Sequence, residues 1–413
     1  MRSPMPRNIT VSPIWALVIA VLAVGVDTYI VVGILPEIAR DLRESIAATG
    51  LIASAYALPT ALLAPIFGPL SDRRGRRTAL LVGLAIFVAS AAACVVAPNL
   101  LLLLVARGVN GLGAAIILPA AFAYAGDLPI KRERDRAMGL LSSAFPMATL
   151  LGLPLGALVA TLAGWRGAFV FITLVGVAAF VLVWALCPAD KPHARKPMGY
   201  LESYRTILGD VTALKLLSVT MVWFITPFGL FVYFAEFIHV THDVPTTQAG
   251  LALVVVGIVG VVASRISGRV MGVIGARTVV LIGITLFGTA ALLMPFTTSA
   301  LPLSLGVMAI WASGTWFGVP AINAIVAAYS QRLRGTMLAF NSSSMNLAGV
   351  LGPVLIGSVI ATLSFSAAYW TAVLFAAGAF ALAYVVLPRG ERVEPSEPCL
   401  LYTSDAADDR PRV

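Results

Sequence analysis

The stretch "GPLSDRRGRRTALL", residues 68–81, comes back at residues 268–281 as "GRVMGVIGARTVVL". Gly68, Gly75, Arg77, Thr78 and Leu81 stand opposite Gly268, Gly275, Arg277, Thr278 and Leu281. Five identities in fourteen positions are weak in isolation, but placement gives them weight. Each copy lies between the second and third of six apolar runs. A basic, proline-containing segment, "PADKPHARKPMGYLESYRTILGD" (188–210), separates the two sets of six. A repeat on this scale predicts a duplicated architecture.

The runs are 13–35, 46–70, 78–97, 100–125, 137–163, 167–187, 213–236, 248–270, 277–295, 302–328, 335–363 and 366–387. A helix needs about 20 apolar residues to cross about 30 Å of hydrocarbon. The chain is 59% hydrophobic and 11% charged, whereas a soluble domain carries about 25% charged residues. Lipid is therefore the solvent this composition fits, and the alternating pattern of an outer-membrane barrel is absent. The expected fold is all-α and polytopic: twelve transmembrane helices in two pseudo-symmetric six-helix bundles. The expected division is a first bundle at 1–187, a cytoplasmic linker at 188–212, a second bundle at 213–390 and a tail at 391–413. Spans five and eleven also match loosely, opening on "RDRAMGLL" (134–141) and "RLRGTMLA" (332–339), with Pro154 and Pro353 further along.

The net charge of +9 raises the question of nucleic acid, and position answers against it. Basic residues crowd alternate connections, among them Arg73, Arg74, Arg76, Arg77, Lys131, Arg132, Arg134 and Arg136, while the other connections hold Arg40, Arg43 and Arg166. This asymmetry predicts both termini in the cytoplasm. The first run is too long for a cleaved signal peptide, and no small-x-small site follows Leu35. Of the three cysteines, Cys94 and Cys187 fall in or beside spans and Cys399 in the tail, which makes neither a disulfide framework nor a metal set. The final segment "CLLYTSDAADDRPRV" (399–413) matches nothing upstream. It resembles a reading frame of a sequencing-library transposon end, and it is left out of the fold argument.

Gly68, Leu70, Asp72, Arg73, Gly75, Arg76, Arg77 and Leu81 resemble the signature loop of the major facilitator superfamily. The physics suits such a loop. Gly68 lets helices approach closely, Gly75 permits a tight turn, and an acid among arginines forms pairs that break and reform between states. A plain positive-inside anchor would explain the arginines but not Asp72 or the glycines. The second copy carries Gly272 in place of Asp72, so the expected latch is asymmetric. On span four, Leu103, Arg107, Asn110, Gly111, Gly113, Ala114 and Ala115 resemble a second pattern of that family, with Asn110 replacing the usual Gln. On span five, Gly152, Pro154 and Gly156 imperfectly resemble its antiporter motif. They are read as a hinge, or as an ordinary proline kink. Span one, "DTYIVVGILPEIARDL", resembles the opening of the twelve-helix drug:proton antiporters, which include chloramphenicol, purine and sugar efflux permeases.

The resemblance covers about residues 10–390 and implies a proton-coupled exporter of small organic molecules that works by alternating access, with multidrug resistance within its range. Its partners would be a small-molecule substrate, protons and the bilayer, with no nucleic acid, no cofactor, no metal and a monomeric state. In that family spans one, four, seven and ten line the cavity. Candidate lining residues are Tyr29, Asn110, Trp223, Phe228, Tyr233, Trp316 and Phe317, beside Phe234 and Trp311; aromatics of this kind also serve as packing and interfacial belts. Glu236, His239 and His242 could bind a metal or sense pH, or simply end a helix in water. "NSSSMN" (341–346) is read as bonding between helices rather than to cargo.

Asp27 interrupts the first run, and Arg107 the fourth. At 1.5 Å per residue they lie roughly 12 Å and 10 Å from the same face, and they are read as the only charges well inside any span. Loss of hydration favours the neutral form of such a carboxyl group and a nearby guanidinium the ionised form, so Asp27 is the expected proton carrier and Arg107 its partner. A static structural pair is the alternative. A sugar or metabolite uniporter is the rival within transport. A membrane-embedded enzyme is the rival outside it, with no His in the expected spans, no nucleophile–base pair and no ATP-binding Gly-x-x-x-x-Gly-Lys-Ser/Thr loop to support it.

Overall fold

The structure, a computed structural model, describes residues 13–128, 130–188, 200–330 and 333–388. The tail at 399–413 and residues 189–199 of the linker lie outside that set. So do the side chains of residues 68–74 and of Pro154.

Thirteen α-helices follow in order among the described residues: α1 (Pro13–Leu42), α2 (Ile46–Arg74), α3 (Arg76–Val95), α4 (Leu100–Gly126), α5 (Lys131–Leu186), α6 (Tyr200–Gly209), α7 (Val211–His242), α8 (Thr246–Ala252), α9 (Val254–Ile274), α10 (Ala276–Leu293), α11 (Leu301–Ala328), α12 (Arg334–Thr362) and α13 (Phe365–Val386). Polar side chains start several of them. Ser45, Asn99, Asp210 and Ser364 each accept from a backbone N–H in the first turn that follows, meeting donors the helix cannot satisfy itself. Eleven segments among the described residues are long and apolar enough to cross a membrane. The twelfth is the first leg of α5, whose 56 residues hold predicted spans five and six. Gly164 divides the two legs at φ 68°, ψ 176°, a conformation open essentially to glycine alone. The first leg is roughly 50 Å long at 1.5 Å per residue.

Several helices outrun their apolar runs, α1 and α7 furthest. The first was expected to end near Leu35, but α1 continues through Pro36 to Leu42. The seventh was expected to end near 236, but α7 reaches His242, so a helix counted as a span does contain histidines. Hydropathy marks where hydrocarbon ends, whereas a helix stops where its backbone bonds stop.

The duplication is visible in three dimensions. Gly75 and Gly275 both turn the chain at positive φ, 90° and 84°. Two residues on, Arg77 donates to the Trp184 carbonyl at 2.7 Å, and Arg277 to the Tyr384 carbonyl at 2.6 Å, each across 107 residues. Gly113 presses on the backbone of Gly83 and Phe87, as Gly314 presses on that of Gly283 and Phe287.

The halves meet along α2 and α12 and along α1 and α7. Ser54 donates to the Val350 carbonyl at 2.8 Å, and Tyr29 meets Phe231 edge-on, ring centres 5.9 Å apart. At the end carrying the α1–α2 turn, Tyr233 of α7 fills the joint. Its hydroxyl donates to the Pro353 carbonyl at 2.9 Å and lies 3.5 Å from the Ala47 carbonyl. Gly50 and Gly357 leave it room: a Cβ added there would sit 2.0 Å and 2.3 Å from that oxygen. Gly50→Val is therefore expected to cost about 1–3 kcal/mol of overpacking in this arrangement and to shift the population toward one open at this end. Spin-label distances between α2 and α12 check it, and an unchanged distribution would refute it.

Candidate functional site

Asp27 of α1 and Arg107 of α4 come together in the first half. Arg107 Nη1 lies 2.8 Å from each carboxylate oxygen of Asp27, and the two side chains are 0% and 1% exposed. Asn110, one turn along α4, accepts from the same Nη1 at 3.2 Å. Its own amide donates to the Phe87 carbonyl and to Ser90 Oγ, both at 3.2 Å, which ties the pair to α3. The guanidinium lies over the Tyr56 ring of α2 at 4.4 Å and faces Phe169 of α5 at 5.8 Å. All five helices of the first half thus meet at one ion pair. Arg107 Nε is buried without a partner, so the cluster keeps one unmet donor.

Close packing holds α1 in place. Gly152 and Gly156 bring α5 against it, with added Cβ atoms falling 3.2 Å from the Val26 carbonyl and 2.7 Å from Ile30 Cγ1. Gly111 brings α4 against α2, its added Cβ 2.0 Å from the Tyr56 carbonyl. These glycines set helix spacing beside the pair, as small residues do in membranes.

Among the described residues the second half has no such pair. Gly352 faces the Ile225 carbonyl as Gly152 faces that of Val26, so Thr226 stands where Asp27 stands. Met308 precedes Gly314 as Arg107 precedes Gly113. Thr226 and Met308 are both fully buried. Polar contacts in this half lie elsewhere: Thr220 donates to Asn341 at 2.6 Å, and Asn341 to Asn323 at 2.8 Å, joining α7, α11 and α12.

The aromatic candidates divide by burial. Trp223 packs over Gly318, whose added Cβ would lie 2.0 Å from the ring. Tyr233 sits in the joint already described. Trp311 stacks on Phe231 at 5.6 Å and meets Phe234 edge-on at 4.9 Å. Phe228, Trp316 and Phe317 are only half-buried. Trp316 lies against Gly260 and Phe228 against Phe224.

In the arginine-rich loop, Arg76 pairs with Asp127 and donates to the Ala123 carbonyl, while Gly75 makes the turn. Gly68, Asp72 and Arg73 lie on the last turns of α2, their side chains outside the described set. His239 donates to the Val244 carbonyl at 2.7 Å, and His242 meets Ser304 Oγ at 2.8 Å; no metal-ligating cluster occurs among the described residues. A recess of about 600 Å³ lies apart from the pair, lined by Glu37, Arg40, Asp41 and the Gly164 bend. There Trp165 and Arg166 both donate to Asp41, at 2.8 Å and 2.6 Å.

One expectation needs correction. Asp27 and Arg107 are not the only charges well inside the spans. Run eight, read as 248–270, already contains Arg265 and Arg269, and α9 continues to Ile274. Arg265 thus lies well within it. The signal was present in "SRISGR" (264–269). Tyr56 also went unread, because a single aromatic at helical spacing looks like packing.

Comparison with known proteins follows the geometry. The sequence model described as Major Facilitator Superfamily matches residues 17–326 and 238–398. The chain is 25% identical over 356 residues to the uncharacterized MFS-type transporter YwfA of Bacillus subtilis (strain 168), covering 85% of this chain and 86% of that one. It is 30% identical over 245 residues to a probable sugar efflux transporter of Pasteurella multocida (strain Pm70), covering 58% and 59%. The crystal structure of a D-xylose–proton symporter superposes with a TM-score of 0.75 at 15% identity, over 91% of this chain and 97% of that chain.

Proposed function

Because the chain belongs to the Major Facilitator Superfamily, we propose that this transporter moves small organic molecules out of a bacterial cell in exchange for protons. The observation that carries the reading is the Asp27–Arg107 pair, 2.8 Å apart and buried, with Thr226 and Met308 at the matching places. An intramembrane ionisable pair is costly and marks a site by default. A duplicated fold places its cargo at the interface of the halves, reached from alternate sides. With the basic connections in the cytoplasm of the inner membrane, the joint filled by Tyr233 is the outer one, and the halves are closed toward the outside.

The cycle then has a physical logic. In the closed-outside arrangement Arg107 holds Asp27 through two contacts of 2.8 Å. When the outer joint opens, a proton reaches Asp27, weakens its hold on Arg107 and competes with cargo. Return to the inner-facing arrangement releases the proton. Reconstitution in liposomes tests this: export against a gradient should require a pH difference and leave the cargo chemically unchanged. Transport indifferent to pH would favour the second reading, a sugar or metabolite uniporter, for which the sugar efflux relative offers support.

The loop at 68–81 enters as a latch between states. Asp72→Asn is expected to slow turnover by about tenfold, the factor that loss of about 1.4 kcal/mol of a charge-assisted contact gives, while leaving cargo binding unchanged. Initial rates and equilibrium binding in the same liposomes separate the two effects, and wild-type turnover would remove Asp72 from the cycle.

A further inference from the structure

Arg265 and Arg269 lie one turn apart on α9, and both are exposed. Their neighbours on that face are apolar and exposed too: Ile258 at 50%, Val262 at 51% and Ile266 at 44%. The buried residues of the helix, Val256, Gly260, Ala263 and Ser267, occupy the opposite side. The arginines are therefore turned away from the bundle contacts of their own helix. Counted from residue 270, where the apolar run ends, they lie roughly 8 Å and 2 Å along the axis. Both can extend their guanidinium groups toward the headgroup region, as long basic side chains do.

Neither guanidinium has an ion pair or hydrogen bond among the described residues. The charges of Asp27 and Arg107, by contrast, match each other. Two like charges four residues apart also repel. Beside them the backbone is uncovered: a Cβ added at Gly268 or Gly272 would meet nothing within 4 Å. The arrangement is a basic shelf with room against the helix, near the end of the apolar run, with no anionic partner among the described residues.

We propose that Arg265 and Arg269 together bind a phosphate-type oxyanion at this shelf. Two guanidinium groups one turn apart can each donate to one phosphate group, which removes both the unpaired charge and the mutual repulsion. Basic side chains at the cytoplasmic end of membrane helices attract anionic headgroups in this way. The phosphate of an anionic lipid, drawn inward along α9, and a free phosphate supply the same chemistry. The site is independent of the proton-coupling reading, since no contact links it to Asp27 or Arg107.

The test uses the full chain purified in a maltoside detergent. Native mass spectrometry should show phosphatidylglycerol retained over phosphatidylcholine, and Arg265→Gln/Arg269→Gln should reduce that preference by a factor of about 5 to 30, as loss of one or two basic groups near an anionic surface gives. In a second arm, inorganic phosphate should slow phenylglyoxal labelling of Arg265 and Arg269 in the wild-type protein, read by peptide mass spectrometry. Protection by phosphatidylglycerol but not by phosphate assigns the lipid source, and the reverse assigns a free anion; either supports the shelf. If the double variant does not fold, wild-type labelling decides alone. Equal labelling with and without both probes overturns the proposal, as does an undiminished lipid preference in a folded double variant when phosphate gives no protection either.

Discussion

In liposomes carrying Asp27→Asn, export driven by a pH gradient is expected to fall to the level of protein-free vesicles, while downhill exchange of the same cargo continues. Asparagine keeps the shape of the side chain and one oxygen for Arg107 Nη1 to donate to, and Asn110 still accepts from that nitrogen at 3.2 Å. What disappears is the titration. The carboxylate is 0% exposed, so its charge depends on Arg107 and on access to water. A conformational cycle alters access, which is how one group can take a proton on one side and release it on the other. Full uphill export by Asp27→Asn would show that the pair is structural and that coupling resides elsewhere.

The second large effect is on stability. Arg107→Met alone is expected to lower it by about 3–5 kcal/mol, because removing one member of a buried pair strands the other. Replacing both members is a different matter. Asp27→Thr with Arg107→Met reproduces what the second half has at matching positions, Thr226 and Met308, both fully buried. The double variant should recover most of the loss while remaining unable to couple transport to protons. Thermal unfolding of Arg107→Met, of Asp27→Thr alone and of the double variant in detergent completes the cycle. If the double variant is no more stable than Arg107→Met, the matching of the halves is not the reason the pair is tolerated.

How far the sequence could be read follows from what each signal measures. Apolar runs report contact with hydrocarbon, so they gave the number of crossings, and the repeat at Gly68 and Gly268 gave the division into matching sets. They did not give the helix ends beyond Leu35 and beyond residue 236, where the chain leaves lipid but keeps its backbone bonds. Asp27 and Arg107 could be placed at similar depth from rise per residue alone. Their approach required α1 and α4 to be neighbours, which depends on glycines pressing against backbone in three dimensions, such as Gly111 on Tyr56 and Gly152 on Val26. Tyr56 beneath the guanidinium belongs to the same class of contact. Arg265 was legible in principle. The apolar run read as 248–270 already contained it, so the signal needed no structure.

The bonds from Arg77 to Trp184 and from Arg277 to Tyr384 have a consequence for biogenesis. Each joins the start of a half's third crossing to the end of its sixth, so each closes its own half without any atom from the other. Chains emerge from the ribosome N-terminus first and fold unit by unit. The earlier half can be fastened before the later one is translated, and the later half then needs only its own clasp. The polypeptide between them serves to keep the two products of synthesis together at high local concentration.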